Sequence, residues 1–290
     1  MSLASTSRPC NVEILKDRAA LLTRCRHFFA QRGVLEVDVP ILSRSSSVDV
    51  YIDPVQAICC NKPAYLHTSP EYGMKRLLAE GMGDIYQISH VFRDHEAGER
   101  HTPEFMMAEW YRLDFGFEQM IQETVDFIHL FLENIPKERE EYSYRDVFVH
   151  YISRYPESSE ERDELLAFEI EPHFGQGRLT VIKGFPPEQA ALSQINVQGI
   201  AERFEIYYQG IELANGYHEL VDPLEQRDRL LKANQKRGQL GKPALPIDEE
   251  FLEALEKGVS DCCGVAVGFD RLMMLRHQLE DIREASCFFI

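Results

Sequence analysis

An arginine and an aromatic residue on either side of a polar loop could bind a nucleotide. Arg93 ends a strand-like run, the loop DHEAGERHTP follows with His101 near its far end, and Phe105 comes next. A guanidinium group can bind phosphate through paired hydrogen bonds, and an aromatic ring can stack on a base. Alternatively, Arg93 is a surface ion-pair partner and Phe105 a core residue.

Two glutamates further along could hold a metal ion. Glu205 and Glu212 lie on either side of an expected hairpin turn at Gln209–Gly210. The even offset of the hairpin places both side chains on one face of the sheet. Their repulsion would be relieved by Mg²⁺, which proteins often bind through one or two carboxylates together with substrate phosphates. Two solvated carboxylates are the alternative interpretation.

Three more acids lie in apolar or aromatic surroundings. Glu71, Glu109 and Glu219 occur in SPEYG, MMAEWY and NGYHEL. If they converge on one cavity, they require cations, which indicates a diamine or an amino acid as the substrate. Exposure of any one of them at the surface is the alternative.

A glycine-containing run near the carboxyl end could also approach a ligand. Gly264, Gly268 and Arg271 lie in GVAVGFDR. Glycine allows close backbone approach, and a following arginine can bind phosphate. The sequence contains neither a G-x-G-x-x-G run nor a Walker lysine loop, so a nucleotide would be bound in another way.

Hydrophobic periodicity predicts the elements that position these residues. An amphipathic helix is expected over 11–31, with Asn11 as its N-cap and Gly33 as its stop. A strand should follow at 35–39, ending at Pro40. The later expected elements are a helix from Ser69–Pro70 to Gly81, paired strands at 84–93 and 104–112, a helix over 117–132, a hairpin over 203–220, helices at 222–237 and 248–257, and a strand leading into a helix at 264–275.

Hairpin-connected strands with helices outside them predict an α+β fold with an antiparallel sheet flanked by helices. The 290 residues, 44% of them hydrophobic, favour a single domain over residues 1–290. The charged, weakly patterned residues 137–175 are expected to form a surface insertion.

Composition excludes several other classes of protein. No run of about 18 apolar residues is present, and the first residues lack a secretion signal, so a cytoplasmic protein without membrane contact is expected. Seven cysteines without C-x-x-C spacing predict reduced, mostly buried thiols rather than a zinc site. A net charge of −17 opposes binding to a polyanion and makes tRNA an unfavoured partner.

The chain resembles the class II aminoacyl-tRNA synthetases at three motifs, QRGVLEVDVP, FRDHEAGERHTPEF and GVAVGFDR. It is closer to lysyl-tRNA synthetases, which are similar also at TSPEYGMKRLL, EFMMAEWY and RFEIYYQGIELANGYHEL. The resemblance covers about residues 11–276 and includes no anticodon-binding domain. This combination is similar to the elongation factor P lysine ligase family, synthetase paralogues that activate (R)-β-lysine with ATP and attach it to a lysine of that factor.

The resemblance implies roles at both ends of a site. For ATP, Arg93 would bind the α-phosphate, His101 and Arg271 would reach the outer phosphates, and Phe105 would stack on adenine. The glutamate pair at the hairpin would hold Mg²⁺. Because the first motif of class II enzymes forms their dimer interface, a homodimer is also implied.

For the amino acid, the resemblance implies that Glu71 binds the backbone amine. Glu109, Tyr111 and Glu219 would receive the distal ammonium group, with Asn215 near the carboxylate. The pocket would therefore select a molecule with two cations.

Two positions depart from the lysyl-tRNA synthetase pattern. Ala266 replaces the middle glycine of the third motif, and its methyl group could favour a β-amino acid, although a neutral difference is the alternative. Asp94 and His95 stand where the family has Asn-Glu, so the glutamate that contacts adenine is missing and Asp94 or Glu96 could replace it.

Two other functions remain open. One is a truncated lysyl-tRNA synthetase-like ligase that acts on tRNA or a free amino acid. The other is a catalytically silent paralogue that serves as a binding module. His95 favours the second, whereas the intact Arg93, Arg271, Glu205 and Glu212 oppose it.

Overall fold

The structure is a computed structural model that describes residues 11–287, and a large β-sheet forms its centre. The strands are β1 (Leu35–Glu36), β2 (Leu42–Ser43), β3 (Gln56–Cys59), β4 (Lys62–Leu66), β5 (Ile85–Phe92), β6 (Glu104–Leu113), β7 (Glu140–Ser143), β8 (Thr180–Phe185), β9 (Ala201–Tyr208), β10 (Ile211–His218) and β11 (Cys262–Gly268). Eight of them form one sheet in the order β1-β5-β6-β11-β10-β9-β8-β7, and β2, β4 and β3 form a small separate sheet.

Helices cover both faces of the large sheet. They are α1 (Val12–Ala30), α2 (Glu71–Ala79), α3 (Phe117–Ile128), α4 (Tyr144–Ile152), α5 (Ser159–Leu165), α6 (Pro223–Gln239), α7 (Glu249–Lys257) and α8 (Phe269–Arg276). Helices α1, α3 and α8 share a hydrophobic core with one face, which includes Trp110. Helices α2, α6 and α7 pack around a second core on the other face, which includes Tyr111. The α+β fold predicted from the sequence is confirmed.

The two outermost strand pairings differ from the rest. The six inner strands are antiparallel, whereas β1 pairs with β5 and β7 pairs with β8 in parallel. A parallel pair needs a long connection, and in both cases the intervening chain contains at least one helix. The sheet is therefore antiparallel across its six inner strands and parallel only at its edges.

The first predicted helix is confirmed, and the strand after it is shorter than expected. The Asn11 side chain accepts a hydrogen bond from the Glu13 amide at 3.1 Å, and Gly33 follows the helix with φ of +70°. Strand β1 stops at Glu36 because the Val39 amide donates to the Gln87 side chain, at 2.8 Å, rather than to another strand.

Residues 137–175 contribute an edge strand as well as surface helices. Strand β7 pairs with β8, and a third hydrophobic cluster packs Tyr144, Phe148 and Phe174 against Ile182 and Tyr207 of the sheet. The segment expected to form a surface insertion therefore extends the sheet and has its own apolar core.

Two expectations from composition can be compared with the described residues. The six cysteines within residues 11–287 are free thiols, but only three are buried, because Cys59 and Cys60 are exposed at the turn between β3 and β4 and Cys287 is partly exposed. Cys10 lies outside the described residues. Among residues 11–287, no helix has the length and apolar character needed to cross a membrane.

Candidate active site

A row of side chains crosses the middle of the large sheet on the face covered by α2, α6 and α7. Glu109 of β6 lies opposite Ala266 of β11, which lies opposite Asn215 of β10, which lies opposite Glu205 of β9. Directly opposed residues point to the same face, so these four side chains form one line across four strands. Residues that are distant in sequence are brought together in this way.

A β-bulge in the second hairpin determines which residues join this row. Tyr207 lies opposite Glu212, but the pairing shifts between Glu212 and Ala214, so that Asn215 rather than Ala214 faces Glu205. The extra residue puts Glu205, Glu212 and Asn215 on the same face. The predicted hairpin is confirmed, and the bulge adds the asparagine to the site.

A cavity of about 970 Å³ lies over this face. It brings together every residue that the sequence assigned to nucleotide, metal or substrate binding. These are Glu71, Arg93, His101, Phe105, Glu109, Tyr111, Glu205, Glu212, Asn215, Glu219, Ala266 and Arg271. Their individual roles stay predictions, but their convergence on one cavity is a property of the structure.

The deep end of the cavity is built around a buried carboxyl group. Glu109 is 2% exposed and accepts hydrogen bonds from the Tyr111 hydroxyl and the Ser69 hydroxyl, each at 2.7 Å. Burial, together with the charge of Glu71, raises the pKa of Glu109 to about 7 despite these hydrogen bonds.

A buried lysine lies beside the other two acids. The Lys75 Nζ is 2.7 Å from Glu71 Oε1 and 2.6 Å from Glu219 Oε2, and the lysine side chain is 1% exposed. Burial raises the pKa of Glu219 to about 8, although the charge of Lys75 acts in the opposite direction. The two carboxylates raise the pKa of Lys75 and keep it protonated despite its burial. One cation therefore serves three carboxylates, Glu109 included.

The glycine at the centre of this region is required for a different reason than expected. A side chain on Gly264 would overlap Glu219 and Tyr111, so the space beside it is filled by the protein's own residues rather than left for a ligand. At Gly268 an added Cβ would be 3.5 Å from Arg271, which is an ordinary contact. Close packing therefore requires a glycine at Gly264 but not at Gly268.

The outer end of the cavity carries arginines. The Arg93 guanidinium lies 5.1 Å from the centre of the Phe105 ring, and its Nη1 is 3.9 Å from Glu96 Oε2. The buried Arg93 Nε has no hydrogen-bond partner within residues 11–287 and could donate to a phosphate oxygen.

Arg271 contacts a histidine and a backbone carbonyl. Its Nη2 is 2.7 Å from His101 Nε2, and its Nη1 donates to the Glu212 carbonyl oxygen at 2.7 Å. Burial of the imidazole ring, and then the positive charges of Arg271, Arg93 and Arg100, lower the pKa of His101 to about 4. His101 is therefore neutral at pH 7 and accepts a hydrogen bond from Arg271.

The loop between β5 and β6 is attached to its surroundings at two further points. Arg100 Nη1 donates to the Gly210 carbonyl oxygen at 3.1 Å, and the Ile282 amide donates to the Glu99 carbonyl oxygen at 2.8 Å. These contacts hold the predicted phosphate-binding loop over the cavity.

The two glutamates of the hairpin suit a hard cation. Glu205 is buried, forms an ion pair with Arg203 and accepts a hydrogen bond from the Tyr207 hydroxyl at 2.6 Å. Burial raises the pKa of Glu205, and the nearby charge of Glu212 adds to this effect. Oxygen donors that repel each other beside a cavity fit Mg²⁺. Within residues 11–287 no cluster of three metal-binding side chains is present.

Residues 137–175 place another acid next to this pair. Glu171 Oε1 lies 3.3 Å from the Tyr207 hydroxyl. Burial and the charges of Glu205 and Glu212 raise the pKa of Glu171 to about 7. Sequence patterning did not identify this residue, because its neighbours are charged and weakly periodic.

The residues near the position of the missing adenine-contacting glutamate differ in whether they reach the cavity. His95 has a largely exposed side chain and a φ of +66°, and it does not line the cavity. Asp94 forms an isolated bridge with Asp53. Glu96 does line the cavity, which makes it the better placed of the proposed substitutes.

Sequence reasoning missed Lys75 and Arg203. Lys75 follows Glu71 by four residues on one helix, and this spacing favours an ion pair. The Lys75–Glu71 pair could therefore have been predicted from the sequence. The contact of Lys75 with Glu219 joins residues 144 positions apart. Arg203, on β9, donates a hydrogen bond to the carbonyl oxygen of Gln189, which precedes that strand. Local patterns carry no signal for such contacts.

Comparison with known proteins agrees with this site. The family described as "tRNA synthetases class II (D, K and N)" matches residues 2–289. The chain is 40% identical, over an alignment of 321 positions, to a protein of Edwardsiella ictaluri, and the alignment covers 99% of this chain and 98% of that protein. It is 42% identical, over an alignment of 311 positions, to a protein of Haemophilus influenzae strain PittGG, and that alignment covers 97% of this chain and 96% of that protein. Both relatives are named "Elongation factor P--(R)-beta-lysine ligase".

Proposed function

The chain belongs to the elongation factor P (R)-beta-lysine ligase family of class II synthetase relatives, and from this we propose that it activates (R)-β-lysine with ATP and transfers it to a lysine of elongation factor P. The observation that carries the proposal is one cavity with arginines at its outer end and three carboxylates at its deep end. The arginines suit the triphosphate, and the carboxylates suit an amino acid with two ammonium groups.

In the first step, a carboxylate oxygen of the amino acid attacks the α-phosphorus of ATP. A new P–O bond forms, the bond to the pyrophosphate oxygen breaks, and an aminoacyl adenylate and pyrophosphate result. Arg93 and Arg271 would stabilise the phosphate charge, and Phe105 would hold adenine by stacking. Glu205 and Glu212 would hold Mg²⁺, which neutralises phosphate charge when bound.

In the second step, a neutral lysine amine of elongation factor P attacks the carbonyl carbon of the adenylate. A C–N bond forms, the C–O bond to the phosphate breaks, AMP leaves, and the amine nitrogen releases one proton to water. The net charge of −17 opposes a polynucleotide acceptor, which favours the protein over tRNA.

Ala266 supports a β-amino acid as the substrate. It lies between Glu109 and Asn215 in the row across the sheet, so its methyl group points into the cavity between residues assigned to opposite parts of the substrate. The methyl group would occupy space beside the substrate backbone and favour an amine displaced by one carbon.

We also propose a homodimer formed through the segment at 11–40. Leu35, within this segment at the edge of the large sheet, is apolar but 50% exposed, and Ile41 and Leu42, which directly follow the segment, are 38% and 41% exposed. Such a surface suits a twofold contact. Light scattering during size-exclusion chromatography would test it by measuring the mass in solution.

Exchange of radiolabelled pyrophosphate into ATP tests the activation step with each amino acid separately. We expect exchange with (R)-β-lysine in preference to α-lysine and to the other amino acids. Labelled β-lysine is then offered with elongation factor P or with tRNA. Transfer to tRNA would favour the truncated synthetase, and absence of exchange with every amino acid would favour a silent binding module.

A further inference from the structure

A buried cation, Lys75, lies next to the substrate end of the cavity without being part of the cavity lining. Lys75 lies behind Glu71 and Glu219, and each of these acids directs one oxygen at the ammonium group. The other oxygen of Glu219, Oε1, lies beside Gly264 in the cavity lining. The lysine therefore fixes one oxygen of Glu219, and the residue as a whole remains part of the cavity lining.

The charges of this region do not balance without a ligand. Glu71, Glu109 and Glu219 are three carboxyl groups, and Lys75 is the cation paired with two of them, Glu71 and Glu219, while Glu109 accepts only hydroxyl hydrogen bonds. With all four groups ionised, the pocket has an excess of two negative charges. An amino acid with two ammonium groups supplies the two positive charges that are missing, and its own carboxylate lies toward ATP.

We propose that Lys75 is a positioning residue that sets this excess at two charges and thereby makes the pocket selective for amino acids with two ammonium groups. The inference deepens the proposed function and rests on it. For folding alone, apolar residues in place of the whole buried ion pair would be adequate. A buried ammonium between two acids on the cavity wall has a further consequence, because it fixes their orientation and its charge lowers the pKa of Glu219 below that of an unpaired carboxyl group at the same depth.

Without Lys75, the three acids would repel one another, and Glu109 and Glu219, whose pKa values the lysine charge lowers, would keep their protons to a higher pH. A protonated carboxyl group binds an ammonium group less well than a carboxylate does. The ionisable groups that face Lys75 from the surrounding elements also take part in this balance. They are Glu71, Tyr72, Glu109, Tyr111, Glu219 and Cys262.

Lys75→Met tests the proposal, because methionine has a similar length and no charge. We expect the KM for (R)-β-lysine to rise roughly 30-fold with kcat changed by less than about threefold, since the loss affects binding more than chemistry. KM for (R)-β-lysine should fall as pH rises, and in the variant we expect this fall to occur at a higher pH than in the wild type. We also expect a smaller preference for β-lysine over norleucine, which has one ammonium group.

Two variants serve as controls. Lys75→Arg keeps the charge and should restore the pH profile and most of the affinity. Lys257→Met removes an exposed lysine that pairs with Glu80 at 3.0 Å just beyond the carboxyl end of α2, and it should change neither KM nor pH profile. If Lys75→Met does not fold, Lys75→Gln takes its place with the same expected results, because glutamine is also uncharged.

The outcomes separate this inference from the proposed function. A wild-type protein that shows no exchange with any amino acid overturns the proposed function and this inference with it. An active wild type whose uncharged Lys75 variant keeps its KM, pH profile and preference over norleucine overturns the inference alone. A variant that loses kcat only, or a Lys75→Arg variant that behaves like Lys75→Met, also overturns it.

Discussion

The two ends of the cavity satisfy their charges in different ways. At the deep end, Lys75 and Glu219 are each 1% exposed and pair with one another inside the protein. At the outer end, Arg93 and Arg271 are 23% and 22% exposed, and their contacts are with His101, Glu96 and both the carboxylate and the backbone carbonyl of Glu212. The deep end is therefore fixed before any ligand arrives, whereas the outer end keeps arginine groups that can turn to a phosphate.

Removal of an arginine should have the largest effect on activity. We expect Arg93→Ala to lower kcat/KM for adenylate formation by roughly 10³-fold, the upper range for losing one donor to a developing charge. Pyrophosphate exchange measures this. Arg93→Lys should give an intermediate value because it keeps the charge but not the forked geometry. An active alanine variant would contradict the assignment of Arg93 to phosphate.

Removal of a charge at the deep end should affect folding as well as binding. At a pH above 8, where Glu219 is ionised, we expect Glu219→Gln to lower the free energy of unfolding by about 3 kcal/mol, because it leaves Lys75 with one of its two acids. Urea denaturation measures this. Glu250→Gln is the matched control, since Glu250 forms an exposed pair with Arg76 of the same helix and should change stability by less than about 0.5 kcal/mol. Equal losses of stability in the two variants would contradict the difference between the buried and the exposed ion pair.

A smaller change between the two ends should alter selectivity alone. We expect Ala266→Gly to increase the use of α-lysine relative to β-lysine by about tenfold, the range for a single carbon in a pocket. The ratio of kcat/KM values for the two amino acids measures this. Unchanged selectivity would show that the methyl group does not discriminate.

The smallest expected effect is a difference in pH response. Glu109 and Glu219 have pKa values of about 7 and about 8, so the KM for the amino acid should fall as pH rises from 6 toward 8 and the carboxylates ionise. His101, with a pKa of about 4, stays neutral between pH 6 and 8. The KM for ATP should therefore not change with pH over this interval. Initial rates at saturating co-substrate measure both constants.

The same pKa values determine how stability depends on pH without a ligand. Both glutamates have an ordinary pKa of 4.5, so above this pH the folded protein holds protons that the unfolded chain has released. Stability from these groups is present below pH 4.5 and is lost as pH rises through about 7 and 8. His101 acts in the opposite sense, because its contribution is present above its ordinary pKa of 6.5 and is lost as pH falls through about 4.

Features set by local sequence could be predicted. The helix at 11–31 has an N-cap and a glycine stop, and the hairpin at 203–220 turns at Gln209–Gly210, where both residues have positive φ. The convergence of the twelve site residues on one cavity followed from the resemblance. Contacts between distant segments could not be predicted, since neither the parallel edge strand β7, with its charged sequence EEYS, nor the Lys75–Glu219 pair depends on neighbouring residues.

The bulge after Glu212 makes the site sensitive to chain length as well as to residue type. Side chains alternate between the two faces of a strand, so deletion of Leu213 would remove the shift and change which of Glu212 and Asn215 faces the cavity. Every site residue would still be present in the sequence. During divergence of such enzymes, the loss of one residue in this hairpin would therefore alter the site as much as substitution of a glutamate. Alignments of related chains must keep the spacing of this strand to identify its cavity-facing residues.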